Sequence, residues 1–344
     1  MRVTAGLRPI ADGPLFATGR WLAAMRDRVP GLPYTFELDG AVLHGTVVRA
    51  AHPGEPFDLP YVLTADPAQL PLSEAARAAR RRFAGSPAWT PHLVVMLPGY
   101  ECHPLGPAAR DGATLGDLVK EIVAWSRAEG LRAVAFLYTT TPELQQVLGR
   151  RGFARIPLSY SCELSPGVRL PAKRRSEARR ELRRLAEAGV RLRVSDISRP
   201  VPGMVDLKCL HSRKYGGAAD PVAVAHRLAA LCDGGALLFS AEHDDHLVGY
   251  ALFIPHRETW YCVSTARWYG SAAARHTYFA TVFYEPARHA AEQGVTRLHY
   301  GQGSWRAKLS RGCRAVELPA WVLALDPALE PVVEWSARTT ELSP

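Results

Sequence analysis

The residues best suited to chemistry lie in one glycine-rich segment, residues 299–313, which reads His-Tyr-Gly-Gln-Gly-Ser-Trp-Arg-Ala-Lys-Leu-Ser-Arg-Gly-Cys. The stretch 295–300 alternates apolar and polar side chains, which predicts a strand. A strand that opens onto glycines lets a ligand approach the backbone closely, and the cations Lys308 and Arg311 can stabilise developing negative charge there. The same pattern is also compatible with an ordinary strand and loop that carry two solvated basic residues.

Periodic segments surround this motif in the second half of the chain. Residues 272–293 have the apolar spacing of a helix, and Gly294 is a suitable C-terminal stop. Asp244-Asp245 lies between two apolar runs and predicts a hairpin turn. Two further helices are predicted at 204–215 and 221–232, and strands at 192–194, 237–241, 247–254, 260–264 and 316–323.

The first half of the chain also predicts alternating strands and helices. Asp39-Gly40 is a strong hairpin signal, and the apolar runs 93–97 and 133–137 predict buried strands. Helices are predicted at 16–29, 72–83, 114–129 (with Thr114 as N-cap) and 142–149, and further strands at 36–38, 41–48, 61–64 and 160–164. Because Ser165-Pro166-Gly167 and Leu170-Pro171 interrupt the pattern, we predict two domains, residues 1–165 and 166–344.

Charge and cysteine usage restrict the class of protein. The 344-residue chain has a formal net charge of +9, which favours an acidic partner such as tRNA, a nucleotide-bearing cofactor, an acidic carrier protein or a membrane surface. A basic enzyme without such a partner is the alternative. The six cysteines form no CxxC pair, no signal peptide is evident, and no apolar run approaches the roughly 20 residues of a membrane span. These features predict a cytoplasmic protein with reduced thiols and no membrane span.

A strongly basic helix is predicted directly after the proposed domain boundary. Within residues 173–189, the side chains of Arg175, Arg179 and Arg183 recur every four residues and form one column. The guanidinium group of arginine can form two parallel hydrogen bonds with a phosphate or a carboxylate group, so this column suits phosphate or an acidic protein surface. A solvated helix face is the alternative interpretation.

Two features of the second half resemble a known family. The pattern Tyr-Gly-x-Gly-x-x-x-x-Lys-x-x-x-Gly at 300–312, after a helix that ends Ala-Ala-Glu-Gln-Gly-Val, resembles the C-terminal signature of the FemABX-like branch of GNAT acyltransferases. The resemblance covers residues 173–323 and, more loosely, 93–162. It implies an α/β fold of two GNAT-like domains in tandem, each a mixed, mostly antiparallel sheet flanked by helices. It also implies amide formation by acyl or aminoacyl transfer to an amine.

The resemblance assigns roles to particular residues. It implies that Lys308 lies near the reacting carbonyl, and that Tyr215, His211 or Tyr261 relays the amine proton. The candidate substrate-binding residues are Arg311, Gln302, Gly301, Gly303, Trp305 and Tyr278. The candidate residues for binding the donor phosphate are Arg110, Gly112, Ala113, Thr114, Arg175, Arg179 and Arg183. The loop 110–116 departs from the family's Arg/Gln-x-x-Gly-x-Gly/Ala spacing, so a scaffold without phosphate is the alternative there.

Other residues are also candidates for catalysis or metal binding. His103, in a loop with Tyr100 and Glu101, could act as a general base, or it could be a loop histidine without a chemical role. The turn 243–246 contains two histidines and two aspartates, which predict a solvated turn rather than a metal site. We therefore predict no bound metal and a structural role for Cys313.

The expected activity is N-acyl transfer to a small amine acceptor, for example in natural-product or antibiotic biosynthesis. The donor is expected to be an acyl thioester on the phosphopantetheine of CoA or of an acidic carrier protein, with no tightly bound cofactor. An aminoacyl-tRNA donor is the first alternative. Because no heptad run of coiled-coil length occurs, transfer to peptidoglycan is disfavoured. A GNAT scaffold that binds tRNA or a carrier protein without catalysis is the second alternative.

The role implied for Lys308 is testable by substitution. Lys308→Ala should lower kcat by roughly 10²–10³-fold, because loss of one oxyanion donor has that effect in other enzymes. Turnover would be measured alongside circular dichroism, which should report an unchanged fold. Near-normal turnover in the variant would contradict the assignment.

Overall fold

The computed structural model describes residues 1–50, 57–59, 63, 78, 89–99, 101–168, 171–217, 219–270 and 272–339. The chain divides into two compact units, Met1–Tyr160 with Glu317–Pro344 (unit 1) and Ser161–Val316 (unit 2). The C-terminal segment, which the predicted division placed in the second domain, therefore packs with unit 1. The predicted strand at 61–64, the predicted helix at 72–83 and Tyr100 lie outside the described residues, apart from residues 63 and 78.

Unit 1 contains a sheet with one parallel pair of neighbouring strands among the described residues. Its strands are β1 (Arg2–Ala5), β2 (Leu32–Leu38), β3 (Ala41–Val48), β4 (His92–Val95), β5 (Ala133–Phe136), the start of β6 (Ala154–Leu164) and most of β12 (Arg314–Ala324). The pairs β1–β2, β2–β3, β3–β4 and β5–β12 are antiparallel, and β4–β5 is parallel. Asp39 and Gly40 both have positive φ in the predicted β2–β3 turn, as a two-residue hairpin turn requires.

Helices α1 (Gly19–Ala24), α2 (Gly112–Ala128), α3 (Pro142–Arg150) and α9 (Glu330–Thr339) belong to unit 1. Helix α2 begins two residues before the predicted start, and the predicted N-cap at Thr114 is wrong. The carboxylate of Asp111 caps the helix by accepting the N–H groups of Ala113 and Thr114 at 3.2 and 3.3 Å. A cap bonds the N–H groups two and three positions ahead of it, which fits Asp111.

Unit 2 is a mostly antiparallel sheet with helices around it. Strands β7 (Arg191–Ile197), β8 (Ala236–His243), β9 (His246–His256) and β10 (Thr259–Arg267) pair antiparallel in sequence order. Strand β11 (Arg297–His299) pairs parallel with β10 and antiparallel with the end of β6. The helices of unit 2 are α4 (Ala172–Glu187), α5 (Met204–Lys214), α6 (Pro221–Cys232), α7 (Glu285–Glu292) and α8 (Trp305–Leu309).

The helix predicted at 272–293 is not a continuous α-helix. A 3-10 turn (Ala273–His276) and one helical turn (Thr277–Phe279) lead into a π-helical turn (Ala280–Tyr284), and α7 follows. Pro286 explains the wide turn, because proline has no N–H to donate and its ring crowds the carbonyl four residues earlier. The wide turn carries Phe283 into the core of unit 2, where its ring centroid lies 4.8 Å from that of Tyr300.

The predicted fold class is confirmed as α/β with a mixed, mostly antiparallel sheet flanked by helices. Each unit has its own apolar core. The core of unit 1 lies between its sheet and α2, α3 and α9, and the main core of unit 2 includes Phe239, Phe253 and Phe283. No helix among the described residues combines the length and the apolar character needed to cross a bilayer.

Candidate active site

Strands β10 and β11 separate soon after they pair. Their register contains three pairs and ends with Tyr261 opposite His299. Strand β10 then bulges between Cys262 and Ser264 and continues to Arg267, whereas the chain after His299 turns into the glycine segment. A bulge bends a strand and interrupts its ladder, so the two strands part at this point. The glycine segment therefore begins where the pairing of β10 and β11 ends.

The glycine turn after β11 has an unusual backbone. Gly301, Gly303 and Ser304 all have left-handed φ values of 61°, 75° and 46°. A Cβ atom at either glycine would meet nothing within 4 Å, so it is the backbone conformation that requires glycine, and the space beside the turn is open. Within the part of the chain that the structure describes, the N–H groups of Gly303 and Ser304 have no hydrogen-bond partner. The turn thus presents free donors beside open space.

Lys308 lies under this turn and is buried, with 5% of its surface exposed. Its Nζ donates to the carbonyl oxygens of Tyr300, Gly301 and Gln302 at 2.8, 3.0 and 2.7 Å. Burial lowers the pKa of Lys308, and the neighbouring thiols oppose that shift. Because an ammonium has three N–H groups, all of its donors are engaged in this conformation. Lys308 therefore holds the glycine turn, and a direct bond to a developing oxyanion would require it to leave one carbonyl.

Arg311 is committed to a buried ion pair. Its guanidinium lies 3.2 Å from the Glu181 carboxylate of α4 and is centred 3.9 Å from the middle of the Phe279 ring. The hydroxyl of Tyr284 donates to the same carboxylate at 2.5 Å. Arg311 and Glu181 are each 7% exposed. These contacts fix α4 to the segment that contains the π turn, and the role of Arg311 in substrate binding stays a prediction.

A second polar cluster lies where α5 and β10 end. The His211 Nδ1 atom and the Tyr269 hydroxyl are 2.8 Å apart, and the Lys214 ammonium lies 3.7 Å from the centre of the Tyr269 ring. Burial, followed by the charges of neighbouring lysine and arginine side chains, lowers the pKa of His211 to about 4. Burial, followed by the proximity of Tyr215, raises the pKa of Tyr269 to about 12. Near neutral pH the imidazole is therefore uncharged and the phenol keeps its proton.

Tyr278 lies near the start of the glycine segment, because its ring packs 5.9 Å from that of Phe283, which in turn contacts Tyr300. Burial raises the pKa of Tyr278, and negative charge on Cys262, Tyr215, Tyr269 or Cys313 would raise it further. The phenol is therefore within electrostatic range of groups on both sides. The buried hydroxyl of Tyr300 has no hydrogen-bond partner among the described residues. Buried polar groups are rarely left unpaired, so this hydroxyl marks a place for a water molecule or a ligand.

Other candidates of the second half lie at the edge of this arrangement or away from it. Tyr261 packs its ring 5.0 Å from His299 and lies on the opposite face of β10 from Cys262, because successive strand residues alternate. Gln302 contributes its carbonyl to Lys308, and Trp305 begins α8, where the Arg306 guanidinium lies 5.2 Å from its ring centre.

The candidate phosphate-binding loop lies in unit 1, at the start of α2. Arg110, Gly112 and Ala113 are exposed, and Thr114 is half-buried. The Asp111 carboxylate occupies the helix N-terminus and also accepts the Thr114 hydroxyl at 2.5 Å. In the family's loop, free N–H groups at the helix N-terminus bind the phosphate. Here a phosphate would instead meet the negative charge of the Asp111 carboxylate. The capping contacts therefore favour the scaffold interpretation of this loop.

The arginine column of α4 is partly available to a ligand. Arg179 and Arg183 are exposed, and Arg175 is half-buried. Arg183 lies 3.7 Å from Glu187 in a solvent-exposed pair. Arg180, Arg184 and Arg275 add positive charge nearby, because after burial they lower the pKa of His276. This face of unit 2 is therefore positively charged.

Sequence reasoning missed Tyr269 and Glu181 as members of the site. Tyr269 lies in an Arg-Trp-Tyr-Gly turn between a strand and a helix, and this aromatic turn beside arginine was an available signal. Glu181 is an acidic residue within a basic helix and gave no such signal. Among the described residues, no group of three or more His, Cys, Asp or Glu side chains could hold a metal ion.

One family model matches part of the chain. Residues 172–309 match the family model described as acetyltransferase (GNAT) domain. A search of curated proteins found no significant match. The matched segment lies almost entirely in unit 2, so unit 2 is similar to a GNAT acetyltransferase domain.

Solved structures support that fold at low sequence identity. The crystal structure of FemX is 12% identical with a TM-score of 0.56, over 94% of this chain and 95% of FemX. L-PGS from Bacillus licheniformis is 12% identical with a TM-score of 0.52, over 89% of this chain and 88% of that one. The C-terminal domain of a putative lysylphosphatidylglycerol synthetase from Agrobacterium fabrum is 16% identical with a TM-score of 0.52, over 71% and 81%.

The buried ion pair predicts a large difference between two glutamates of one helix. Glu181→Ala should lower the free energy of unfolding by up to about 3–5 kcal/mol, because it removes the shorter of the two carboxylate contacts of buried Arg311 and leaves Glu177 at 3.6 Å. Glu187→Ala, which removes the exposed pair with Arg183, should cost less than about 1 kcal/mol. Denaturant unfolding of the two variants measures the difference. Equal losses would show that the Arg311–Glu181 pair is not a structural anchor.

Proposed function

We propose that unit 2 transfers an acyl group from an activated donor to the amine of a small acceptor and forms an amide. The observation that carries the proposal is the open glycine turn after β11, with Tyr278 close to its start through the rings of Phe283 and Tyr300. An acyl carbonyl held beside the turn would have free N–H donors on one side and phenols on the other. Much of the rate would come from holding amine and carbonyl in register.

The proposed reaction needs no covalent intermediate. The lone pair of the neutral amine attacks the carbonyl carbon, the C–N bond forms, and the oxyanion is stabilised by the N–H groups of Gly303 and Ser304. As the tetrahedral intermediate collapses, the bond to the leaving group breaks. Tyr278, which is protonated near neutral pH because burial raises its pKa, serves as the proton donor to the leaving group. The amine proton passes through Tyr215 and Tyr269 and restores the Tyr278 phenol.

In this scheme Lys308 is a positioning residue. Its three hydrogen bonds keep the carbonyls of the turn pointed inward, so the following N–H groups face the open side. His211 is neutral near pH 7 and serves as a hydrogen-bond partner of Tyr269 rather than as a charged group.

An acyl thioester on phosphopantetheine is the first candidate donor. The matched family model describes an acetyltransferase domain, and thiolate is a leaving group that a protonated phenol can serve. The carrier would be CoA or an acidic carrier protein, and the acceptor a small amine in natural-product or antibiotic assembly. The six free cysteines are consistent with action in the cytoplasm.

An aminoacyl-tRNA is the second candidate donor, and two observations favour it. The exposed arginines of α4 and the net charge of +9 suit a polyphosphate backbone. One structure of similar fold is the C-terminal domain of a putative lysylphosphatidylglycerol synthetase. A binding scaffold without catalysis is the third candidate, which the Asp111 cap in the donor loop of unit 1 favours.

A binding titration separates the donors. The purified chain is titrated with CoA, with a phosphopantetheinylated acidic carrier protein and with bulk tRNA, each at two salt concentrations. Tight, salt-sensitive binding of tRNA without carrier binding supports the aminoacyl-tRNA donor, because counterion release makes such binding weaken steeply with salt. Binding of CoA or carrier, with tRNA bound at low salt alone, supports the thioester. Binding of none of the three would contradict the catalytic proposal.

A double variant provides the matched control for that titration. The double variant Arg179→Gln, Arg183→Gln tests whether α4 contacts the phosphate backbone of tRNA. If it does, the slope of the logarithm of the tRNA binding constant against the logarithm of salt concentration should become shallower by about one to two. The double variant should leave binding of free CoA unchanged if the thioester enters at the separation of β10 and β11.

The role of Tyr278 predicts a dependence on the leaving group. Tyr278→Phe should lower kcat by roughly 10²-fold with an alkyl thioester donor, because the departing thiolate loses its proton source. With an aryl thioester, whose thiolate leaves without protonation, the loss should be much smaller. Tyr284→Phe serves as the control, since that hydroxyl binds Glu181. Equal losses of the Tyr278 variant with both donors would remove Tyr278 from the role of acid.

A further inference from the structure

A separate group of reactive side chains lies in unit 1, in the loops that follow the parallel strands β4 and β5. The Nε2 atom of His103 lies 2.6 Å from Oε2 of Glu101, and its Nδ1 atom lies 3.1 Å from the hydroxyl of Thr140. The Glu101 and His103 side chains are 9% and 21% exposed. Sequence reasoning considered the histidine and the glutamate, and the fold adds the threonine from a distant part of the chain.

The hydrogen-bond partners fix the proton positions of the neutral histidine. An ionised carboxylate can only accept, so Nε2 must carry the proton and donate it to Glu101. Nδ1 is then the acceptor, and the Thr140 hydroxyl must be the donor. The hydroxyl proton therefore already points at a base whose other nitrogen is held by a carboxylate. This order of hydroxyl, imidazole and carboxylate is the arrangement that activates a hydroxyl nucleophile.

The backbone around Thr140 is held in a constrained conformation. Tyr138 has a φ of 60°, which bulky residues rarely adopt and which costs roughly 1–3 kcal/mol. The Tyr138 carbonyl accepts the Cys102 N–H at 3.0 Å, and the Thr139 N–H donates to the Pro319 carbonyl at 3.1 Å. The first bond ties the loop of the histidine to the loop of the threonine, and the second ties the loop of the threonine to β12. The stacked ring of Phe16, 6.5 Å away, packs beside the imidazole.

We propose that Glu101, His103 and Thr140 form a second catalytic site in unit 1, which accepts an acyl group from an activated ester or thioester. The Thr140 oxygen attacks the acyl carbon, and its proton passes to Nδ1 of His103. A C–O ester bond forms on Thr140, the bond to the leaving group breaks, and the leaving group takes the proton from His103. Water then attacks the ester with His103 as base, which releases the acid and restores the hydroxyl.

Helix α3 begins two residues after Thr140 and suits this chemistry. No side chain caps the N-terminus of α3 among the described residues, so the N–H groups of Glu143 and Leu144 in its first turn are free to stabilise negative charge. Glu101 acts as a positioning residue, because it holds the tautomer and stabilises the imidazolium that forms. The proposal does not depend on the site of unit 2.

The test uses the full chain and p-nitrophenyl acetate as the acyl donor. We expect an initial release of nitrophenolate and an acetyl ester on the peptide that contains Thr140, detected by mass spectrometry after an acid quench. Thr140→Val should abolish the ester, and Thr140→Ser should keep it on the serine. His103→Gln should slow its formation by roughly 10²–10⁴-fold, the range for loss of the base in a hydroxyl–imidazole–carboxylate set.

Two controls keep the outcome decisive. Tyr278→Phe, which alters the site proposed in unit 2, should acetylate Thr140 at the rate of the wild type. Glu101→Gln, which retains a hydrogen-bond acceptor, should slow acetylation while circular dichroism reports a folded chain. Absence of the ester in the wild type, or equal acetylation of folded Thr140→Val, would overturn the proposal. If Thr140→Val fails to fold, an unlabelled but folded Thr140→Ser would overturn it equally.

Discussion

The arrangement of unit 2 depends on one ammonium group that holds three carbonyl oxygens. Removing Lys308 from water is unfavourable, and the three charge-assisted hydrogen bonds to residues 300–302 offset that cost. The carbonyls converge because Gly301 and Gly303 adopt left-handed conformations that most side chains would oppose. The glycines and the lysine of the motif therefore stabilise the turn together. Neither would produce the same turn without the other.

A second set of contacts fixes the helical elements beside that turn. Pro286 widens the preceding helix into a π turn, and Tyr284 at the end of this turn donates to Glu181. Glu181 in turn holds Arg311, which follows the lysine of the motif by three residues. A basic helix, an aromatic helix and the glycine segment are thus joined through one carboxylate. Because Arg311 and Glu181 are both buried, the loss of either one removes a hydrogen-bond partner that water does not readily replace.

Local features of this protein could be predicted from its sequence, and long-range contacts could not. The hairpin turns, the buried strands and the glycine turn follow from periodicity and from residues that favour special backbone conformations. The position of Pro286 also contained the signal for an interrupted helix, although apolar spacing concealed it. By contrast, Arg311 and Glu181 are 130 positions apart, and charge alone does not distinguish a buried partner from a substrate contact. The same limit applied to Thr140 and His103, which only the fold brings together.

The return of the chain to unit 1 at Glu317 affects the order in which the protein is made. Unit 2 is one continuous segment, so it is complete on the ribosome before β12 emerges. Until then β5 lacks its antiparallel neighbour, and its apolar residues Val134 and Phe136 border an unpaired edge. Nascent chains with such edges are prone to association with other chains. Biosynthesis therefore exposes unit 1 to misassembly for as long as the ribosome takes to translate unit 2.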